Sequence, residues 1–148
     1  MLTVTKIFMF EASHKLPHYD GDCHKLHGHS YKLEVTIAGN IEKDTNNPKC
    51  GMILDFKDLS SLVKEVAVNK YDHSYLNDFF PNPTAEIMVK QIGLDIIKKL
   101  PKNCSLVSCK LWETTTSYAE YSLTLSESER VRRLLEFADE SGMQPATV

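Results

Sequence analysis

Long hydrophobic runs and dense clusters of positive charge are both absent from this sequence of 148 residues. A transmembrane helix needs about 20 consecutive, mostly apolar residues, and no stretch approaches that length. Basic residues occur at most in pairs such as Lys98-Lys99 and Arg132-Arg133, and the net charge is −3. A nucleic-acid binder usually carries a denser basic surface. The sequence therefore predicts neither a membrane nor a nucleic-acid partner.

Cysteine is scarce, and its spacing excludes two common kinds of site. The four cysteines are Cys23, Cys50, Cys104 and Cys109, and none forms a C-x-x-C pair. Zinc-ribbon and thioredoxin patterns are therefore missing. Cys104 and Cys109 lie in or beside an apolar, strand-like run, so we expect them in the core as free thiols.

The overall composition is that of an ordinary globular protein, with 42% hydrophobic and 25% charged residues. This length suits one domain with a core of its own. The first residues lack the basic and apolar regions of a secretory signal peptide, so the expected location is the cytoplasm.

Hydrophobic periodicity predicts an α+β protein. A period of two residues over 29–38 indicates a half-buried strand, and weaker patterns predict strands at 3–13, 52–54, 106–112 and 118–125. Helical spacing predicts a helix after Asp55 or Asp58 and a second one from Thr84 to Pro101. Two hairpins around a helical pair favour an antiparallel sheet.

A further helix is predicted near the C-terminus. Ser126-Glu-Ser-Glu129 fits a capping box, in which a hydroxyl and a carboxylate three residues apart satisfy free N–H groups. An apolar stripe follows at helical spacing, formed by Val131, Leu134, Leu135 and Ala138. Residues 142–148 are predicted to be frayed.

Histidine is concentrated in one short segment. Five of the six histidines lie between residues 14 and 29, and they are His14, His18, His24, His27 and His29. His27 and His29 share one face if they lie on a strand. If the two N-terminal strands pair, His14 comes opposite them, and three imidazoles suit a catalytic zinc with one open position. Because H-x-H spacing on a strand is often incidental, spacing alone leaves both possibilities open.

Three other positions have side chains suited to catalysis or binding. Cys23 lies four residues before His27, and a thiol beside a cation ionises readily. Asp72-His73 is an adjacent acid–imidazole pair that could relay a proton. Glu113, at a strand end, could accept two hydrogen bonds from an amino-heterocycle. Each is also compatible with an ordinary surface residue.

Taken together, these segments resemble the 6-pyruvoyl-tetrahydropterin synthase superfamily. The resemblance rests on Phe10-Glu-Ala-Ser-His14, Cys23-His-Lys-Leu-His-Gly-His-Ser30, Gly51-Met-Ile-Leu-Asp-Phe56, Asp72-His-Ser-Tyr-Leu-Asn77, Asn82-Pro-Thr-Ala-Glu86 and Trp112-Glu-Thr114. These motifs follow the family's order over about residues 3–125. The spacing Cys-x-x-x-His-Gly-His is similar to that of the bacterial 6-carboxy-tetrahydropterin synthases of queuosine biosynthesis.

The resemblance implies a T-fold, with a four-stranded antiparallel sheet and a helix pair. Residues 1–125 would form this pterin synthase domain, and residues 126–148 would add a C-terminal helix beyond the usual end of the family. The resemblance also implies a homohexamer whose active sites are shared between subunits.

The same resemblance implies a role for each candidate residue. Zn²⁺ would be bound by His14, His27 and His29. Cys23 would be the proton-abstracting thiolate, assisted by Asp72 and His73, and Glu113 would anchor the pterin ring. For the triphosphate of the substrate, the nearby candidates are Lys15, Lys25, His18 and His24.

The expected reaction is a lyase reaction on 7,8-dihydroneopterin triphosphate. It yields 6-carboxy-5,6,7,8-tetrahydropterin, acetaldehyde and triphosphate. The first alternative is the 6-pyruvoyl-forming synthase of tetrahydrobiopterin biosynthesis, which uses the same fold and residues. A zinc hydrolase would leave Cys23 and Asp72-His73 without a role, and a non-catalytic pterin- or metal-binding module would not need them.

Overall fold

A long β-hairpin organises the structure, which is a computed structural model that describes residues 1–142. Its strands are β1 (Thr3–His14) and β2 (His27–Gly39), which pair antiparallel from Thr3 opposite Ala38 to His14 opposite His27. Alternation puts apolar side chains such as Phe10 and Leu33 on one buried face. The predicted pairing of the two strands is therefore confirmed, with β2 beginning at His27 and not at residue 29.

The sheet has five strands in the order β3-β1-β2-β4-β5. The added strands are β3 (Ser74–Tyr75), β4 (Cys104–Thr114) and β5 (Ser117–Ser122). The four long strands are antiparallel, as predicted, and β4 and β5 form the predicted hairpin. The two-residue β3 lies parallel to β1, in a segment for which the sequence predicted no strand. The strand predicted at 52–54 is wrong, because Met52 closes a turn by donating its N–H to the Lys49 carbonyl.

The first helical region begins where the sequence predicts. It consists of α1 (Phe56–Val63), a π-helical segment (Lys64–Val68) and α2 (Asn69–Tyr71). Asp55 is the cap, since its side chain accepts a hydrogen bond from the Lys57 N–H at 2.7 Å.

The longest predicted helix is α3 (Ala85–Lys99), which packs against β4 and β5. Thr84 caps it by accepting a hydrogen bond from the Ile87 N–H. Most of its apolar side chains are buried, but Ile87, in the first turn, is 46% exposed. Gly93 permits close packing, since a Cβ there would lie 2.5 Å from the Tyr121 ring.

The C-terminal helix α4 (Leu125–Ser141) packs against α3 and β4 of the same chain. Its capping box is formed by Thr124 and Glu127, so the predicted box at Ser126–Glu129 is wrong by two residues. Val131, Leu135 and Ala138 are buried as predicted, whereas Leu134 is 48% exposed. The predicted fraying at 142–148 falls, apart from Gly142, outside the described residues.

Arg132 is a buried cation in the interior of the described residues. The Arg132 guanidinium, on α4, donates to the carbonyls of Pro101 and Cys104 at the turn between α3 and β4. Cys104 and Cys109 are both buried free thiols, as predicted, and burial raises the pKa of each. Among residues 1–142, no helix is both long and apolar enough to cross a membrane.

Candidate metal centre and active site

The ends of β1 and β2 bring three imidazoles together. His14 pairs with His27 across the hairpin, and Ala12 pairs with His29, so all three histidines lie on the core-facing side. The His14 Nε2 atom lies 3.0 Å from the His27 Nε2 and 3.1 Å from the His29 Nε2. One ligand atom from each residue lies within 4.8 Å of the others. This group could therefore hold a metal ion.

Backbone carbonyls orient two of these rings. The His14 Nδ1 lies 2.9 Å from the Pro83 carbonyl oxygen, and the His27 Nδ1 lies 2.7 Å from that of Lys25. Because a carbonyl only accepts, each Nδ1 carries the proton and donates it. Each Nε2 then presents a lone pair to the centre of the cluster, which is the usual arrangement of metal-binding histidines.

The third ring, that of His29, is also held in its neutral form. Burial lowers the pKa of His29; the Glu113 carboxylate opposes this shift, and the neighbouring imidazoles reinforce it. Neutral imidazole is the form that coordinates a metal.

The spacing of the nitrogens fits a tetrahedral metal. The His14 Nε2 is only 3.0 and 3.1 Å from the other two Nε2 atoms, and the lone pairs of nitrogens this close repel one another unless a cation or a proton lies between them. In a tetrahedral zinc site with Zn–N bonds of about 2.0–2.1 Å, the nitrogens are about 3.3 Å apart. Three neutral nitrogen donors also leave the fourth position of such a site free.

A cleft of about 380 Å³ lies beside the histidine cluster. Glu113, on the core-facing side of β4, has its Oε1 3.7 Å from the His29 Nε2 and lines this cleft. The other lining residues are Leu16, Tyr19, Thr84, Ala85, Glu86, Ser117, Tyr118 and Ala119. The volume is at the lower end of the range of small-molecule sites. No pattern in the sequence predicted a functional role for Tyr19, Tyr118 or Glu86, although Glu86 is part of a motif used for the resemblance.

Cys23 lies in the loop that joins β1 to β2, on a single 3₁₀ turn (Asp22–His24). Its side chain is half-buried, and its carbonyl accepts a hydrogen bond from the Leu16 N–H at 2.9 Å. His18, His24, Lys15 and Lys25 lie in the same loop and are exposed. The loop thus carries both the thiol and the candidate phosphate-binding cations.

Asp72 and His73 lie beside β1 at the edge of the sheet. Asp72 Oδ2 lies 3.0 Å from His73 Nδ1, while Asp72 Oδ1 accepts a hydrogen bond from the Glu11 N–H at 2.9 Å. The bond from Glu11, followed by the contact with His73, lowers the pKa of Asp72. The His73 side chain is 80% exposed. Within residues 1–142, no hydrogen bond connects the Cys23 thiol to either residue.

The family model described as 6-pyruvoyl tetrahydropterin synthase matches residues 3–124. The chain belongs to this family. Solved structures of the family share its fold. The 6-pyruvoyl tetrahydropterin synthase of Caenorhabditis elegans superposes with a TM-score of 0.69 at 22% identity, covering 83% of this chain and 96% of that one. The Plasmodium falciparum enzyme gives 0.63 at 18% identity, covering 82% and 98%. The prediction of an α+β T-fold is thus confirmed.

Three curated relatives of the chain carry two different names. The chain is 33% identical over 141 residues to the 6-carboxy-5,6,7,8-tetrahydropterin synthase of Haemophilus influenzae, covering 82% of this chain and 99% of that protein. It is 37% identical over 124 residues to the Synechocystis protein of the same name, covering 82% and 93%. It is also 36% identical over 104 residues to the dihydroneopterin monophosphate aldolase of Pyrococcus furiosus, covering 70% and 82%. All of these names refer to enzymes that act on pterins.

Proposed function

We propose that this protein is a zinc-dependent lyase that converts 7,8-dihydroneopterin triphosphate and water to 6-carboxy-5,6,7,8-tetrahydropterin, acetaldehyde and triphosphate. The main observation is the convergence of His14, His27 and His29 beside Glu113 at a ligand-sized cleft. Two relatives at 33% and 37% identity carry the name of that product. The reaction needs no external redox cofactor, because the pterin ring is reduced as its side chain is oxidised.

The metal site and the anchor would position the substrate. His14, His27 and His29 would hold Zn²⁺, which when bound supplies a Lewis acid for the oxygens of the substrate side chain. Glu113 lies 3.7 Å from His29 and would accept hydrogen bonds from the paired N–H groups of the pterin ring. The short distance between the two residues would place the pterin side chain next to the metal-binding nitrogens.

Proton transfer would fall to Cys23, His73 and Asp72. Cys23 would act as the thiolate that moves protons at the side-chain carbons. Asp72 accepts from the Nδ1 of His73 at 3.0 Å and so leaves the Nε2 of His73 available for proton exchange.

A shared active site would bring these groups together. His73 is 80% exposed, and no hydrogen bond within residues 1–142 connects it to the Cys23 thiol. We therefore propose that His73 of one subunit serves Cys23 of another in a homohexamer.

Mixed oligomers of Cys23→Ala and His73→Ala subunits should regain turnover, because some sites then contain both native residues. If activity does not return in verified mixed oligomers, the two residues act within one chain.

The decisive experiment is mass spectrometry of the products that zinc-loaded protein forms from 7,8-dihydroneopterin triphosphate. We expect 6-carboxy-5,6,7,8-tetrahydropterin together with acetaldehyde. A 6-pyruvoyl product would assign the protein to the other synthase branch. The monophosphate should be tested in parallel, because one relative is named as a monophosphate aldolase. No product from either substrate, with zinc bound, would contradict the proposal of an enzyme.

Two cysteine variants provide the matched control for this assay. Cys23→Ala should bind zinc and form product at least about 100-fold more slowly than the unmodified protein. Cys50→Ala removes an exposed thiol from another loop and should behave as the unmodified protein.

A further inference from the structure

Residues 72–77 lie along the edge of β1 and contact it at successive positions. At one end, the His73 N–H donates to the Glu11 carbonyl at 2.6 Å, and Asp72 accepts from the Glu11 N–H. In the middle, β3 pairs with Ala12 and Ser13. At the other end lies Asn77. This edge segment therefore extends from the proposed proton-transfer pair to the base of the loop that carries Cys23.

Asn77 holds the first residue of that loop through two hydrogen bonds. Its Nδ2 donates to the Lys15 carbonyl at 2.9 Å, and its Oδ1 accepts from the Lys15 N–H at 3.0 Å. An amide side chain that both donates to and accepts from one residue imitates the backbone pairing of a strand. Lys15 directly follows His14, so this side chain continues the edge contacts one residue beyond the end of β1.

The hold on Lys15 extends to the Cys23 backbone. The residue after Lys15 is Leu16, whose N–H donates to the Cys23 carbonyl at 2.9 Å. Two consecutive residues of the loop are thus fixed, one to Asn77 and the next to Cys23. His14 has separate supports, because it pairs with His27 in the sheet and its Nδ1 donates to the Pro83 carbonyl. The His27 ring contacts the loop itself, through the Lys25 carbonyl at 2.7 Å.

We infer that Asn77 is a positioning residue that holds the loop of residues 15–26, and with it Cys23, in a fixed place relative to the histidine cluster. The catalytic consequence rests on the proposed function of Cys23. The inference assigns Asn77 no contact with the substrate. Its effect on turnover is large because a displacement of about 1 Å of a catalytic group can lower a rate by about 100-fold.

The test compares Asn77→Ala with Asn47→Ala. Asn47 is a matched control, since it also makes two side-chain hydrogen bonds, to Glu42 and from the Lys49 N–H, but in the loop between β2 and α1. We expect Asn77→Ala to lower kcat by about 10- to 100-fold, the usual effect of losing a supporting hydrogen bond. KM and zinc content should remain near those of the unmodified protein. Asn47→Ala should leave kcat unchanged.

A second readout does not depend on turnover. Iodoacetamide should modify Cys23 faster in Asn77→Ala than in the unmodified protein or in Asn47→Ala, with exposed Cys50 as the internal reference in peptide mass spectrometry. Unchanged kcat together with an unchanged Cys23-to-Cys50 ratio would overturn the inference. If the unmodified protein turns over no pterin, the proposed function fails, and the modification ratio alone then decides whether Asn77 holds the loop.

A third variant covers the case in which alanine at position 77 prevents folding. Asn77→Asp keeps the acceptor for the Lys15 N–H and loses the donor to the Lys15 carbonyl. In this folded variant, we expect both a reduced kcat and faster modification of Cys23. Values equal to those of Asn47→Ala would overturn the inference.

Discussion

Removing one imidazole from the histidine cluster should abolish stabilisation by zinc and leave the metal-free fold intact. His27 is the best site for this change, because it is half-buried and begins β2. His14, by contrast, is fully buried, so its truncation would also leave a cavity. In His27→Ala the 3.0 Å contact between the Nε2 atoms of His14 and His27 is lost, and without zinc this contact between two lone pairs does not stabilise the fold. We therefore expect the zinc-free variant to unfold at nearly the same temperature as the zinc-free unmodified protein.

The magnitude follows from ligand linkage. A ligand that binds only the folded state, at a free concentration about 1,000 times its Kd, stabilises that state by about 4 kcal/mol. For a chain of this size, each kcal/mol raises Tm by about 2–4 °C. Zinc should thus raise Tm of the unmodified protein by about 8–16 °C. His27→Ala retains two of the three nitrogens and should show almost no shift at the same zinc concentration.

Thermal unfolding with added zinc and with EDTA measures this difference directly. The matched control is His24→Ala, which removes an exposed imidazole from the adjoining loop and should keep the full zinc shift. A full shift in His27→Ala would refute the ligand assignment. Loss of the shift in His24→Ala would show that His24 is itself a zinc ligand, a role that neither the sequence nor the structure assigned to it.

Three further predictions concern the thiol, the anchor and the helix cap. Cys23→Ala should lower turnover at least about 100-fold, as expected for a lost acid–base group, with zinc content by atomic absorption unchanged. Glu113→Gln should weaken binding of a non-reactive pterin by about 10- to 100-fold in a fluorescence titration, because a hydrogen bond to a charged group is lost. The control variant Glu120→Gln, on the exposed side of the same hairpin, should bind this pterin normally. The Thr124 N–H, and after it the Thr124 hydroxyl, donate to Glu127 and lower the pKa of its carboxyl below the usual 4.5. The ionised carboxylate therefore stabilises the folded state above pH 4.5. This stabilisation is lost as the pH falls through the pKa of the folded state. Glu127→Gln should therefore show a smaller loss of Tm between pH 7 and pH 4, and an unchanged loss would mean that the cap does not contribute.

The sequence predicted the elements with strong periodicity and missed those without it. The strand over 29–38 alternates cleanly, and its pairing with β1 brings His14 opposite His27. The two-residue β3 is too short to produce a pattern. The stretch at 52–54 is apolar because Ile53 is buried, but its backbone follows a turn.

The start of α4 shows how two local signals can compete. Both Thr124-x-x-Glu127 and Ser126-x-x-Glu129 fit a capping box, and local sequence does not distinguish them. Tertiary structure does, because the Leu123 N–H still donates to the Val107 carbonyl on β4, so the chain leaves the sheet directly before Thr124.

The lining of the cleft was the least predictable part of the site. The histidines and Glu113 lie at strand ends, where hydrogen-bond register relates distant residues. Tyr19 and Tyr118, in contrast, come from a loop and from β5, and they meet only through packing. Because the two tyrosines are far apart in the sequence, no pattern of residue spacing predicts that they meet.

The buried Arg132 makes α4 part of the folding unit. The family model ends at residue 124, and α4 begins at the next residue. Although the helix lies outside the residues that match the family model, Arg132 supplies hydrogen bonds to the carbonyls of Pro101 and Cys104 inside the matched region. Detaching α4 would remove the buried guanidinium from both carbonyls, of which Pro101 keeps only the Cys104 N–H as a donor, and would uncover the apolar surface of α3. The C-terminal helix and the rest of the described chain should therefore unfold together in one cooperative transition.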